Sequence, residues 1–136
     1  MKTIKILFLT ILAFSMNISC SSQSNKNEDN STTVSGDNVE VYYFHLSRRC
    51  ATCKAIESVS KEAIAELYGD KVHFTPYNLD ETAGKEKGDE VGVSGQTLLI
   101  VSGDKKINIT NEGFMYARSN PDKLKDIIKT NVDPLL

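Results

Sequence analysis

The chain has 136 residues, of which 25% are charged and 40% hydrophobic, and its formal net charge is −2. This length allows one folded domain, and the charge excludes both a polyelectrolyte tail and the basic excess typical of nucleic-acid-binding proteins, so we expect no nucleic-acid partner. The three cysteines are too few for a disulfide scaffold, and their positions direct the functional interpretation.

Residues 1–19 have the pattern of a secretory signal peptide. Two lysines precede the apolar run 6–14, which is too short for a membrane-spanning helix because such a helix needs about 20 apolar residues. The following segment resembles the lipobox of bacterial lipoproteins, with Asn17 where leucine is commonest. The resemblance implies that Cys20 is lipidated and becomes the mature N-terminus. A soluble secreted protein, with Cys20 incidental or removed, is the alternative.

Residues 20–38 are predicted to form a flexible tether, because they are rich in Ser, Asn, Thr, Asp and Glu and have almost nothing to bury. The folded domain is then expected to span residues 39–136. The export signal predicts a location in the cell envelope, facing the periplasm or tethered to the outer membrane. Acyl chains on Cys20 would attach the protein to the membrane.

The first half of the domain alternates strand and helix. Residues 39–45 are rich in β-branched and aromatic side chains and predict a buried strand. Apolar residues three or four positions apart predict an amphipathic helix over 53–68. Residues 72–79 predict a second strand, and Pro76 favours a place for it at the edge of a sheet.

The second half begins with a weak helix over 81–91, which contains two glycines and has Asp80 as its predicted cap. The apolar run 97–101 predicts a strand that is covered on both faces. Residues 107–110 alternate as an antiparallel partner should. The whole pattern is βαβ, a short helix, and then ββα, which predicts an α/β fold.

The last helix is predicted to begin at Asn120, a capping residue, followed by Pro121 at the first helical position. Pro134 is predicted to end it. Its spacing predicts a buried face made of Leu124, Ile127, Ile128 and Val132.

Cys50 and Cys53 form a Cys-x-x-Cys motif at the join of the first strand and the first helix. In an exported protein with a βαβ pattern, this motif indicates a redox dithiol. Unpaired N–H groups at a helix start stabilise a thiolate and lower its pKa, and Arg48 and Arg49 are expected to add to that effect. We therefore expect Cys50 to be the nucleophile and Cys53 to resolve the mixed disulfide.

These motifs resemble the thioredoxin fold family over residues 39–130. Residues 95–100 have the spacing of the loop and strand that face the dithiol in that family, and Gly113 follows the hairpin where the family often has a glycine. The resemblance implies a four-stranded mixed sheet flanked by helices. Segments 43–53, 96–99 and 111–118 are also similar to thioredoxin-like ArsF-type proteins, which are described as nitroreductase subunits and found beside bacterial arsenic-resistance genes.

Two of the departures from the thioredoxin pattern concern the loop that faces the dithiol and the first strand. Gln96 occupies the position of a cis-proline, and because a non-proline cis peptide costs about 2.5–4 kcal/mol we predict a trans peptide there. The first strand also lacks the family's buried carboxylate, since Glu40 lies too far back. Proton transfer is then expected to run through solvent or through His45. Gln96 and Thr97 are the predicted supporting residues in the facing loop.

The preferred interpretation is a membrane-tethered thiol–disulfide oxidoreductase that acts on a disulfide or dithiol of another protein. No flavin or nicotinamide motif is present, so we expect no cofactor. A membrane electron donor or an efflux component is a further expected partner.

Two other interpretations of the dithiol remain. A structural zinc site would need two more ligands, for which only His45, His73 and Cys20 exist, so we expect no metal. The dithiol could instead bind a soft ion such as Cu(I) or arsenite, with Met115 as the sole further soft ligand. Phe114, Met115 and Tyr116 are otherwise predicted to pack in the core or at the rim near the dithiol.

Overall fold

A computed structural model describes residues 38–136 of the chain. The predicted signal peptide, Cys20 and almost all of the predicted tether lie outside the described residues. The elements, in chain order, are β1 (Glu40–His45), α1 (Ala51–Tyr68), β2 (His73–Asn78), α2 (Thr82–Val91), β3 (Thr97–Ser102), β4 (Lys105–Asn108), α3 (Thr110–Tyr116) and α4 (Pro121–Val132). Two short 3-10 turns, Gly69–Lys71 and Asp133–Leu135, follow α1 and α4.

The described strands form one mixed sheet in the order β2-β1-β3-β4. Strand β1 runs parallel to β2 and antiparallel to β3, and β4 pairs with β3 as an antiparallel hairpin. The prediction from Pro76 is confirmed, because β2 lies at an edge of the sheet, where a missing N–H costs no ladder bond.

Strand β1 is covered on both faces because alternate side chains point to opposite sides of the sheet. Val41 and Tyr43 belong to a large cluster with residues of α1, β3 and α4, and Tyr42 and Phe44 belong to a smaller cluster on the α2 side. This two-sided burial explains the nearly continuous apolar runs of β1 and β3.

The last helix is capped as predicted. The Asn120 side chain accepts a hydrogen bond from the Lys123 backbone N–H, and Pro121 occupies the first turn. Leu124, Ile128 and Val132 are buried, whereas Ile127 is only partly buried. Within residues 38–136, no helix has both the length and the apolar character that crossing a bilayer would require.

The predicted cap of α2 is wrong. The residue before the helix is Glu81, whose side chain makes no capping bond, and the Asp80 carboxylate instead accepts the backbone N–H of Ser47 at 2.7 Å. The two glycines do not interrupt α2. A Cβ at Gly84 would overlap the carbonyl of Asn78, so the glycine allows the helix to lie directly against the end of β2.

The predicted end of the hairpin is also wrong, because β4 stops at Asn108 and α3 begins at Thr110. The backbone N–H and the hydroxyl of Thr110 both donate to the Asn108 side chain, at 3.0 and 2.6 Å. The Thr110 hydroxyl oxygen also accepts the backbone N–H of Leu98 at 2.9 Å. These side-chain hydrogen bonds hold Thr110 against β3 at the residue where α3 begins.

Candidate active site

Cys50 and Cys53 lie at the N-terminal end of α1 and are joined by a disulfide bond. The helix begins at Ala51, two residues earlier than predicted, and Cys50 is its N-cap. The Cys50 sulfur accepts the backbone N–H of Cys53 at 3.2 Å, and the Cys50 carbonyl accepts that of Lys54 at 3.1 Å. This sulfur takes the place of the side-chain oxygen that usually caps a helix, so the helix start is built to stabilise a thiolate there.

The two sulfurs differ in their access to solvent. Cys50 is exposed, whereas only 3% of Cys53 is exposed. A second molecule can therefore approach Cys50 and cannot readily approach Cys53. This asymmetry agrees with the roles of nucleophile and resolving cysteine that the sequence predicts.

Gln96 contacts the buried sulfur. Its side-chain amide donates to the Cys53 sulfur at 3.2 Å, and no described residue has a cis peptide bond, so the predicted trans geometry at Gln96 is confirmed. The position follows from the sheet, because Thr97 pairs with Phe44 at the end of β1. The Thr97 hydroxyl donates to the Gly95 carbonyl at 3.0 Å and holds the loop in place.

Arg49 is engaged away from the exposed sulfur. Its guanidinium forms an ion pair with Glu57, donates to the Cys53 carbonyl at 3.5 Å, and lies 5.8 Å from the centre of the Tyr43 ring. Glu57 was not singled out from the sequence. Its spacing is a usable signal, because Glu57 follows Cys53 by four positions and so lies on the same face of the helix.

Tyr43 lies under the Arg49 guanidinium and is fully buried. Its hydroxyl makes no hydrogen bond that meets normal geometry, and neither does the Nε of Arg49, although the two residues are neighbours. Burial raises the pKa of Tyr43, the positive charge of Arg49 opposes the rise, and Glu57 adds to it. The tyrosine therefore stays protonated and neutral.

The loop that leads to Cys50 is fixed to the neighbouring loop after β2. Asp80 accepts the Ser47 N–H, and this hydrogen bond is the largest cause of a lowered Asp80 pKa. Asn78 donates to the Ser47 hydroxyl at 3.2 Å. His45 directs its Nδ1 to the Leu46 carbonyl at 3.1 Å, and this contact does not involve the dithiol.

Arg48 and Lys54 lie on either side of Cys50, and both are exposed. Among the described residues, Arg48, Arg49 and Cys50 line a common surface cavity. Tyr116 packs against the core, as predicted, whereas 40% of Phe114 and 60% of Met115 are exposed on α3. Over the described range, no three His, Cys, Asp or Glu side chains gather where they could hold a metal ion.

The solved structures that are similar to this chain include two thioredoxins. Thioredoxin O2 from Arabidopsis thaliana, in its oxidised state, matches with a TM-score of 0.50 and 22% identity over 69% of this chain and 75% of that one. Thioredoxin f2 from Chlamydomonas reinhardtii matches with a TM-score of 0.46 and 20% identity over 71% of this chain and 82% of that one. No protein-family model and no curated protein sequence matches the chain. The described domain thus has a thioredoxin-like fold, as the sequence predicts.

Proposed function

We propose that this protein is a thiol–disulfide oxidoreductase that exchanges disulfides with a partner protein through Cys50 and Cys53. One observation carries the proposal: a disulfide joins an exposed sulfur at a helix start to a sulfur buried behind it. A sulfur of another molecule can reach the exposed Cys50 sulfur, and the buried Cys53 sulfur can react with Cys50 within the protein. The thioredoxin-like fold supports the same chemistry by analogy.

In the oxidising direction, the protein accepts an electron pair from a substrate dithiol. A substrate thiolate attacks the Cys50 sulfur, a mixed disulfide forms, and the Cys50–Cys53 bond breaks with Cys53 leaving as a thiolate. The second substrate thiolate attacks the substrate sulfur of the mixed disulfide, closes the substrate disulfide and releases Cys50 as a thiolate. In the reducing direction, the Cys50 thiolate attacks a substrate disulfide, and Cys53 then attacks Cys50 and releases the reduced substrate.

The surroundings of each sulfur suit these steps. The Cys53 backbone N–H stabilises the Cys50 thiolate, which is both the attacking group and the final leaving group. The Gln96 amide donates to the Cys53 sulfur and stabilises the thiolate that leaves when the disulfide opens. Both contacts are made to the sulfur atoms themselves, so Gln96 acts directly on the reacting pair.

The proposal for the whole chain includes its attachment to a membrane. Residues 1–19 would direct export, lipidated Cys20 would anchor the protein, and the tether would place the domain at the surface of the cell envelope. The similarity to ArsF-type proteins supports a partner in a metalloid-resistance or efflux system. Incorporation of labelled palmitate by the wild type, and its loss in Cys20→Ala, would test the anchor.

The redox proposal is tested by equilibrating the full-length protein, in detergent, against glutathione buffers of graded composition. We expect a reversible Cys50–Cys53 couple, and a Cys50 thiol whose pKa lies well below the ordinary value of about 8.5, measured by alkylation rate against pH. A dithiol that never exchanges with glutathione, yet retains Cu(I) or arsenite through gel filtration, would contradict the proposal and favour soft-ion binding.

A further inference from the structure

Two cations beside Cys50 have no partner among the described residues. Arg48 precedes the exposed sulfur by two positions, and Lys54 follows it by four, in the first turn of α1. Both side chains are exposed, and neither makes an ion pair or a side-chain hydrogen bond within residues 38–136. Their charges are free to act on a molecule that approaches Cys50.

The acidic groups around Cys50 are already engaged by other partners. Glu57 pairs with Arg49, so those two charges largely cancel. Asp80 carries a negative charge, and its carboxylate is turned to the Ser47 backbone N–H. The first turn of α1 contains no acidic residue. The rim of the exposed sulfur therefore has an excess of positive charge.

We propose that Arg48 and Lys54 are specificity-determining residues that make Cys50 react preferentially with disulfides flanked by carboxylates, such as those in acidic segments of a partner protein. This inference rests on the proposed function, because it concerns the substrate of the same dithiol. The positive rim attracts an anionic disulfide during its approach and stabilises the negative charge that develops on the sulfur that leaves.

The size of the preference can be approximated by taking about 7 Å as the charge separation. Arg48 lies within about 7 Å of Cys50 along the backbone, since a residue spans at most about 3.6 Å. One pair of unit charges at roughly 7 Å in water changes a rate by about threefold, and reversal of one charge by about sevenfold. At 0.15 M salt the Debye length is about 8 Å, so the preference should shrink as salt is added.

The test uses the reduced full-length protein and three small disulfides of different charge at low salt. Oxidised glutathione is anionic, hydroxyethyl disulfide is uncharged and cystamine is cationic. The quantity measured is the rate with each charged disulfide divided by the rate with the uncharged one. This ratio removes any general change in the reactivity of Cys50 that a substitution causes.

We expect Arg48→Glu and Lys54→Glu each to lower the glutathione ratio by about sevenfold and to raise the cystamine ratio. The matched control is Lys61→Glu. This variant reverses an exposed lysine on the same helix, about 16 Å from Cys50 along the helix axis. This control should change both ratios by only about twofold at low salt, because the Coulomb energy of two unit charges falls as the distance between them grows.

The outcomes separate the two proposals. If the wild type does not exchange with hydroxyethyl disulfide, the proposed function is overturned and the charge preference has no basis. If it exchanges but the ratios do not change in Arg48→Glu and Lys54→Glu, the oxidoreductase proposal stands and the charge preference is overturned. Equal changes in Lys61→Glu would also overturn it, because they would reflect the net charge of the protein.

Discussion

The two cysteines of the motif lie one helical turn apart in very different surroundings. Cys50 is exposed, its sulfur accepts only a backbone N–H among the described contacts, and its neighbours Arg48 and Lys54 face solvent. Cys53 is buried and its sulfur accepts a side-chain amide from a distant loop. The difference shows how one short motif separates two tasks: one sulfur meets other molecules, and the other is reached only within the protein.

Replacement of either cysteine should give the largest effect and should separate the two tasks. We expect Cys50→Ser to reduce exchange to the background rate, because the remaining thiol is buried. Cys53→Ser should still attack a substrate disulfide and should accumulate a stable mixed disulfide, since no second thiol resolves it. Mass spectrometry of the purified variants checks this, and trapped adducts on Cys50→Ser instead would reverse the assignment.

Removal of the Gln96 amide, which donates to the Cys53 sulfur, should have a smaller effect on the exchange rate. In Gln96→Met the side chain keeps its length and loses its N–H groups, so a hydrogen bond worth about 1 kcal/mol is lost and the Cys53 thiolate becomes a poorer leaving group by about fivefold. Stopped-flow reduction of the disulfide measures the rate. Thr97→Val is the control, because its hydroxyl supports the loop without contacting sulfur, and an equal slowing in both variants would contradict a direct role for Gln96.

Glu57→Gln should sharpen the comparison by freeing Arg49. The pair is partly exposed, so its loss should destabilise the fold by about 1 kcal/mol, which urea unfolding measures. Removal of a negative charge near the dithiol should also lower the pKa of Cys50 by a few tenths of a unit, which alkylation against pH measures. Glu66→Gln, which removes one partner of an exposed pair with Lys125, should change neither quantity appreciably. A higher pKa in Glu57→Gln would be contrary to this account.

The smallest effect is expected at Tyr43. The Tyr43 hydroxyl makes no regular hydrogen bond, so Tyr43→Phe should leave the free energy of unfolding within about 0.5 kcal/mol or raise it slightly. Tyr42→Phe removes a hydroxyl that donates to Glu40, and should cost about 1 kcal/mol. Chemical denaturation of the two variants gives the comparison. A clear loss of stability in Tyr43→Phe alone would mean that its hydroxyl is bound more strongly than the contacts indicate.

The strands, the main helices and the dithiol could be predicted because their signals are local. Pro76 marks an edge strand, Asn120 marks a helix start, and the apolar run of β3 marks two-sided burial. The contact between Gln96 and Cys53 needed the resemblance to a known fold, since the two residues are 43 positions apart.

The remaining features could not be predicted because each depends on a residue that has both local and distant potential partners. Asp80 is of a residue type that often caps helices and lies just before α2, yet its carboxylate accepts the backbone N–H of Ser47, 33 positions away in the sequence. Thr110 continues the alternation of a strand, yet its hydroxyl binds Asn108 and Leu98 at the residue where α3 begins. Glu57 resembles an ordinary surface residue in the sequence, and its ion pair with Arg49 is evident only in the structure.

The close packing of α2 against the end of β2 has a consequence for the Cys50 thiol. Gly84 allows α2 to press on the carbonyl of Asn78, and the Asn78 side chain in turn holds Ser47 in the segment that ends at Cys50. A methyl group added at Gly84 would overlap the Asn78 carbonyl and displace Asn78, and with it the hydrogen bond to Ser47. We therefore expect Gly84→Ala to change the reactivity of the exposed thiol.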